Sequence, residues 1–263
     1  MTKTIISVVL CIILALTIIP GCSRETPADT FEKTVSILFV GNSFIFKGNV
    51  PKQIKTFCAM YGIDVTYTTI APGGAALRKT KKRAIAAMET KKFDYAVFQD
   101  KGGRQLFEPQ GFVEDIKELC DAAKHSGAIP VLYNPAWPNN DGIPDEREQY
   151  KQTRPYLAAA KQNDAVLVNA GDAWVYAYRT VPDISLYKHN DFHANNAGAY
   201  LTACVFVSTL FGLQVKDIAP DNLYHGEDAL ALGRAAWEFY LASFSSSPTI
   251  CLQRVRSWLP GTI

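Results

Sequence analysis

The stretch that decides the fold is Val35-Ser36-Ile37-Leu38-Phe39-Val40, followed directly by Gly41-Asn42-Ser43. A short, continuous apolar run that stops at a Gly-Asn turn signal is typical of a strand buried on both faces of a parallel sheet. Apolar residues at helical spacing begin again at Val50. The chain is therefore predicted to pass from strand to helix here, with Ser43 at the carboxyl edge of the sheet.

The same alternation of strand and helix continues along the chain. Further strands are predicted at residues 64–70, 95–98, 129–133 and 165–168, and helices at residues 50–61, 77–88, 112–125, 146–161, 197–210 and 227–244. Five strands alternating with helices predict an α/β fold whose parallel sheet is covered by helices on both faces. No linker rich in Pro, Gly or Ser interrupts residues 35–240, so we expect one domain.

Composition limits the classes of function. The chain has 263 residues, of which 48% are hydrophobic, so it can bury a sizeable core. Basic and acidic residues number 27 and 25, and the local basic run at residues 78–83 falls on a predicted helix. Such a run is typical of a solvated helix face, and we expect no nucleic-acid partner.

The N-terminus predicts export. Residues 5–19 form an apolar stretch of 15 residues, shorter than the roughly 20 that a membrane span needs but typical of a signal peptide. The stretch ends at Pro20-Gly21-Cys22, which resembles a bacterial lipobox; an ordinary secretory cleavage site is the alternative. We expect a signal peptide over residues 1–21, a flexible tether over 22–34 and the folded domain over 35–263. Cys22 would carry the lipid that anchors the protein in the bacterial cell envelope.

The other cysteines predict neither a metal site nor a disulfide pairing. Outside the leader and Cys22, the cysteines are Cys58, Cys120, Cys204 and Cys251. No two of them have the C-x-x-C spacing of metal ligands. The first three fall in apolar helical stretches, where a cysteine behaves as a small buried hydrophobe.

Polar residues follow the predicted strands, where open parallel sheets bind their ligands. Ser43 follows the first strand, Gly73-Gly74 the second, and Gln99 ends the third. Near the C-terminus, Asp191-Phe192-His193 precedes an apolar helix. A histidine beside an aspartate can serve as a general base with its orienting acid, and Ser43 is then a candidate nucleophile. Taken singly, a serine after a strand is more often a turn or N-cap residue, and a glutamine such as Gln99 is more often a surface residue.

Four segments taken in order resemble the conserved blocks of the SGNH/GDSL hydrolases. These segments are Gly41-Asn42-Ser43, Gly73-Gly74-Ala75-Ala76-Leu77, Val97-Phe98-Gln99-Asp100 and Asp191-Phe192-His193-Ala194-Asn195. They are most similar to a bacterial branch in which Gln replaces the Asn of block three, and the resemblance covers about residues 35–213. The G-x-S-x-G elbow of the α/β-hydrolases is absent, because Phe44-Ile45 follows Ser43.

The resemblance implies a flavodoxin-like three-layer α/β/α sandwich with a five-stranded parallel sheet, and ester hydrolysis without a metal or other cofactor. Ser43 would attack the carbonyl carbon and His193 would take the proton. The backbone N–H groups of Ser43 and Gly74 and the Gln99 side chain would hold the oxyanion. The expected substrates are short acyl or acetyl esters of small molecules or glycans.

Three questions stay open at this stage. The family usually has its acid three residues before the histidine, where this chain has Asn190, so either Asp191 or Asn190 could orient His193. Trp137, which follows the fourth strand, could stack on a sugar ring or serve only in packing. A catalytically inactive, lipid-anchored glycan-binding protein with the same fold is the alternative function.

Overall fold

The computed structural model describes residue 31 and residues 33–136, 142–220 and 222–246. The predicted signal peptide, the lipid attachment at Cys22, most of the predicted tether, Trp137 and Cys251 lie outside the described residues. None of the helices in the described part combines the length and the hydropathy that a membrane span requires.

The described residues form one parallel sheet of five strands. The strands are β1 Lys33–Val40, β2 Ile63–Ile70, β3 Tyr95–Phe98, β4 Ile129–Asn134 and β5 Val166–Asn169. Their order is β2-β1-β3-β4-β5, and every neighbouring pair is parallel. The predicted strands are confirmed with shifts of one or two residues at their ends. Helices pack on both faces, which gives the expected three-layer α/β/α fold.

The six predicted helices are present, with ends that shift by up to three residues. They are α2 Val50–Ala59, α3 Leu77–Thr90, α5 Pro109–Ser126, α6 Glu146–Gln162, α8 Asn196–Phe211 and α9 Glu227–Ser246. Three further helices, α1 Ser43–Phe46, α4 Arg104–Phe107 and α7 Ala170–Thr180, were not predicted. Two of these are single turns, and α7 begins directly after β5 with no loop to separate the two patterns.

Strand β1 supplies both layers of the core. Ile37 and Phe39 join the hydrophobic cluster built with α2 and α8, whereas Leu38 and Val40 join the cluster built with α3 and α5. Successive side chains of a strand point to opposite faces of its sheet, so residues 37–40, which are apolar at every position, can fill two cores at once. This explains why the run at residues 35–40 lacks the alternation of a half-exposed strand.

The cysteines of the described part are buried thiols. Cys58, Cys120 and Cys204 are free and fully buried, as their apolar surroundings in the sequence predicted. Burial raises the pKa of the Cys58 thiol to about 12 and that of Cys120 to about 12. A thiol that stays protonated is a poor nucleophile, so these residues act as packing groups.

Candidate active site

The carboxyl end of β1 is fixed from both sides of the sheet. The Gly41 N–H donates to the carbonyl oxygen of Ile70 at 3.1 Å, and the Gln99 N–H donates to that of Val40 at 2.9 Å. These bonds continue the pairing of β1 with β2 and β3 past the last strand residue. The turn that carries Ser43 therefore starts from a rigid edge.

Asn42 shapes that turn. It is the N-cap of α1, and its Oδ1 accepts a hydrogen bond from the Phe44 N–H at 3.2 Å. Its Nδ2 donates to the carbonyl oxygen of Ala75 at 3.0 Å, across the sheet edge. One buried side chain thus joins the serine turn to the glycine-containing loop that follows β2. Ser43, the first residue of α1, is nearly buried.

Ser43, His193 and Asp191 form a continuous hydrogen-bonded chain. The His193 Nε2 lies 2.8 Å from the Ser43 Oγ, and the His193 Nδ1 lies 2.6 Å from the Asp191 Oδ1. With the proton on Nδ1, where the carboxylate accepts it, Nε2 is left to accept the Ser43 hydroxyl proton. The arrangement is that of a nucleophile, a base and an orienting acid.

The segment that carries Asp191 and His193 is a turn whose two ends are hydrogen-bonded to each other. Tyr187 and Ala194 form an antiparallel bridge, and the Lys188 N–H donates to the carbonyl oxygen of His193 at 2.9 Å. Asn195 then caps α8, because its Oδ1 accepts a hydrogen bond from the Gly198 N–H at 3.0 Å. We call residues 187–195 the histidine turn. Its two ends are fixed by the bridge and by the helix cap.

The sequence left open whether Asp191 or Asn190 orients His193, and in the structure Asp191 contacts the ring. Asn190 is exposed and has a positive φ of 52°, which Asn tolerates better than most residues. The Asp191 Oδ1 also accepts a hydrogen bond from the His193 N–H at 3.2 Å. The contact between Asp191 and His193 therefore forms within a tight turn.

The pKa of Asp191 lies below its usual value. Burial alone would raise this pKa, but the hydrogen bonds from the side chain and the N–H of His193 outweigh burial, and the charges of His193 and Lys47 add to them. Each of these partners favours the ionised carboxylate. Asp191 is therefore an anion at neutral pH, which is the form that can stabilise an imidazolium.

Gln99 directly follows β3, as expected, but its side chain makes contacts other than those expected. It has no exposed surface; its Oε1 accepts a hydrogen bond from the Asn42 N–H at 3.1 Å, and its Nε2 donates to the carbonyl oxygen of Asp100. The amide group that was predicted to face an oxyanion is thus used inside the protein. These contacts correct the prediction: Gln99 supports the Ser43 turn through its hydrogen bond with the Asn42 N–H.

Asp100, the next residue of the same block, also has a structural position. Its Oδ1 accepts a hydrogen bond from the N–H of Leu77, the first residue of α3, at 2.9 Å. Its Oδ2 lies 2.6 Å from the Arg104 Nη1, and the Arg104 Nη2 lies 2.7 Å from the Asp115 Oδ2. This buried ion pair fixes the start of α3 and, with it, the end of the glycine-containing loop.

Gly74 lies in that loop, as predicted, and its backbone explains the residue type. Its φ is +65°, and a Cβ added there would meet nothing within 4 Å, so the left-handed backbone and not lack of space requires glycine. Within the described residues, neither the Gly74 N–H nor the Ser43 N–H donates a hydrogen bond to the protein. Within the described residues, two backbone donors are therefore unused, one on each of the two turns that the Asn42–Ala75 hydrogen bond joins.

A small aromatic pocket adjoins the serine and the histidine. Its volume is about 20 Å³, little more than the space that one water molecule needs. Tyr133, Trp174 and Tyr187 contribute to its wall. Phe192 covers the histidine, with ring centroids 4.2 Å apart, while 51% of Phe192 stays exposed.

Lys47 was missed in the sequence, although it lies in the site. Its Nζ is 3.3 Å from the His193 Nδ1 and 3.7 Å from the Asp191 Oδ2. Lys47 follows the last residue of α1, one helical turn after Ser43, and this spacing is the signal that could have found it. Among the described residues, no group of three or more His, Cys, Asp and Glu side chains is arranged to hold a metal ion.

Comparison with known proteins gives matches to solved structures alone. No family model matches the chain, and the search of curated proteins gives no match. A protein from Slackia heliotrinireducens assigned to the SGNH hydrolases is 22% identical, with a TM-score of 0.56 over 67% of this chain and 99% of the other. A DUF4886 family protein from Bacteroides uniformis is 16% identical, with a TM-score of 0.64 over 80% and 96%.

An acetylxylan esterase from Geobacillus stearothermophilus, solved as a catalytic variant, is 17% identical, with a TM-score of 0.51 over 66% of this chain and 92% of the other. At these identities the likeness concerns the fold. The chain therefore has the three-layer α/β/α fold that these solved structures share.

Proposed function

We propose that this protein is a serine ester hydrolase of the SGNH type, with Ser43 as nucleophile, His193 as general base and Asp191 as the acid that orients it. The observation that carries the proposal is the unbroken chain of hydrogen bonds from Ser43 Oγ through both ring nitrogens to the carboxylate. A binding protein that merely kept the fold would have no need of this chain. The enzyme is therefore favoured over the inactive glycan-binding protein.

The reaction would proceed in two steps. In the first, Ser43 Oγ attacks the carbonyl carbon while Nε2 of His193 takes the hydroxyl proton, and Asp191 stabilises the imidazolium. The imidazolium then protonates the leaving alcohol, which leaves an acyl group on Ser43. In the second step, a water molecule gives its proton to Nε2 and attacks the acyl carbon, and the ring returns that proton to Ser43.

The negative charge on the carbonyl oxygen would be held by backbone donors. Neither the Ser43 N–H nor the Gly74 N–H donates a hydrogen bond within the described residues. The first belongs to the nucleophile itself, and the second lies in the loop that the Asn42–Ala75 hydrogen bond joins to the serine turn. Such preorganised donors typically contribute about 10²–10³ in turnover each. Gln99 would act indirectly, by holding the Asn42 N–H and with it the direction of the turn.

The small pocket favours an acetyl group as the acyl part of the substrate. Its volume of about 20 Å³ accepts a methyl group, whereas longer chains would have to displace Tyr133 or Trp174, both buried in the core. One neighbour in fold is an acetylxylan esterase. Together these observations support acetylated carbohydrates as the substrate class.

We expect Ser43→Ala to lower the hydrolysis of p-nitrophenyl acetate by about 10⁴-fold or more, because a triad without its nucleophile retains little activity. The thermal midpoint should stay within a few degrees of that of the unchanged protein. Ser243→Ala, on an exposed part of α9, is the matched control and should keep full activity. Substantial activity in the Ser43→Ala protein would show that Ser43 is only a turn residue.

Asp191→Asn should lower kcat at least tenfold, because an amide can donate to Nδ1 and so favour the wrong tautomer of His193. Asn190→Ala, one residue earlier on the exposed turn, should cost much less. Steady-state kinetics on the same ester compares the two variants. The opposite ranking would assign the orienting role to Asn190.

The pocket predicts a steep dependence on acyl chain length. Inserting methylenes into a packed site costs about 1–3 kcal/mol, so kcat/KM should fall at least about fivefold from p-nitrophenyl acetate to the butyrate and further to the octanoate. Acetylated xylan assayed in parallel tests the carbohydrate part of the proposal. Equal rates for acetate and octanoate would refute the acetyl assignment.

We further propose that the protein is exported and anchored through lipid on Cys22, on the basis of the apolar run at residues 5–19 and the Gly21-Cys22 junction. Cys22→Ser should then move the protein from the membrane fraction to the soluble fraction of the expressing bacterium. Labelling with a radioactive fatty acid should be lost in the same variant. An unchanged protein found wholly in the soluble fraction would contradict the anchor.

A further inference from the structure

Lys47 contacts both partners of the acid–base pair. Its Nζ lies 3.7 Å from the Asp191 Oδ2 and 3.3 Å from the His193 Nδ1. About 40% of its side chain and 30% of that of Asp191 are exposed. The ammonium group therefore sits at the mouth of the site, on the side of the carboxylate that faces water.

The two oxygens of Asp191 have different partners. Oδ1 receives both hydrogen bonds from His193, from the ring at 2.6 Å and from the backbone at 3.2 Å. Oδ2 has Lys47 as its ion-pair partner in the described part of the chain. Because the carboxylate is partly exposed, water competes for Oδ2, and a fixed cation there restricts rotation of the carboxylate about its bond to Cβ.

Lys47 comes from a different part of the chain from the groups that it contacts. It follows α1, so its position is set by the same turn that sets Ser43, whereas Asp191 and His193 belong to the histidine turn. The ion pair therefore links the nucleophile segment to the acid–base segment. The two segments are also linked by the Ser43–His193 hydrogen bond, which breaks and reforms during turnover, and by ring contacts of Phe44 with Phe192 and His193.

We infer that Lys47 is a positioning residue: its ammonium group holds the Asp191 carboxylate against His193 and sets the acid limit of the activity. This inference rests on the proposed serine hydrolase function. Lys47 itself touches neither the substrate carbonyl nor Ser43 Oγ in this role.

The effect on pH dependence follows from the charges that face the His193 ring. Lys47 and Asp191 are charged, whereas burial raises the pKa of Tyr133, from β4, and of Tyr187, so that both are neutral at working pH. Ser43 is uncharged, as are Trp174 from α7 and Thr202 from α8, which also line the pocket. Lys188 and His189 are exposed and form no ion pair with Asp191 among the described residues.

A positive charge 3.3 Å from Nδ1 opposes a second positive charge on the ring. Among the described residues, removing Lys47 leaves Asp191 as the charged side chain that contacts the ring, so a positive charge on the imidazole is opposed less in the variant. A protonated Nε2 cannot accept the Ser43 proton, and the acid limb of the pH–rate profile therefore moves to higher pH. A Coulomb interaction across about 4 Å in a water-like dielectric corresponds to a shift of roughly 0.5–1 pH unit.

The test compares Lys47→Met with Lys47→Arg and with Lys52→Met, which removes the same charge from an exposed position on α2. In Lys47→Met, kcat for p-nitrophenyl acetate should fall about tenfold, KM should change less than twofold, and the acid limb should move up by roughly 0.5–1 pH unit. Lys47→Arg should restore most of kcat and the acid limb, since it keeps the charge. Lys52→Met should match the unchanged protein.

A second readout is independent of turnover. The titration midpoint of the His193 ring, followed by NMR, should rise in Lys47→Met and stay unchanged in Lys52→Met. If the protein hydrolysed no ester, the proposed function would fail while this titration would still decide the effect of Lys47. An unchanged acid limb and ring titration in Lys47→Met would overturn the inference. A rise in KM alone would overturn it too, and would instead assign Lys47 to an anionic group of the substrate.

Discussion

The site depends on the hydrogen bonds that fix the carboxyl end of β1 between its two neighbours. Gly41 is bonded to the last residue of β2, and Val40 to the first residue after β3. A central strand that is paired on both sides and buried on both faces has little freedom, so the turn that leaves it has one direction. The sheet therefore sets the position of Ser43 independently of its hydrogen bond with His193.

The polar residues of the four segments that resemble SGNH/GDSL blocks divide into two groups with different roles. Ser43, Asp191 and His193 form the reacting chain, whereas Asn42, Gln99 and Asp100 connect the turns that follow β1, β2 and β3. Each connecting side chain is buried and forms at least one hydrogen bond to a backbone group of a neighbouring turn, and Asp100 also pairs with Arg104. These side chains therefore hold the carboxyl ends of β1, β2 and β3 in a fixed arrangement.

The sequence predicted the parts of the molecule that depend on local pattern. Strands β1 to β5 were found within one or two residues, because a buried parallel strand is a short apolar run with turn residues at its end. Helix α7 was missed because Asn169 both ends β5 and caps the helix, so no loop separates them. The single turns α1 and α4 are too short to show any periodicity.

For the site, the sequence predicted that Ser43 and His193 meet, but it left the orienting acid open and did not predict the partners of Gln99. Gln99 was correctly placed at a strand end, yet which neighbour would take its amide depends on backbone groups from elsewhere in the fold. Asp191 meets His193 across a tight turn, with Asn190 in a left-handed conformation that the sequence does not specify. Lys47 had no signal apart from its spacing, since a lysine after a short helix is most often solvated.

The histidine turn holds acid and base within three consecutive residues, while the nucleophile lies 150 positions earlier in the chain. The most demanding distance, that between carboxylate and imidazole, is therefore encoded by one short peptide and survives any movement of that peptide as a body. What such a movement changes is the gap between Ser43 and His193. A displacement of the helix that begins at Asn196 would therefore alter the Ser43–His193 distance while leaving the contact between Asp191 and His193 intact.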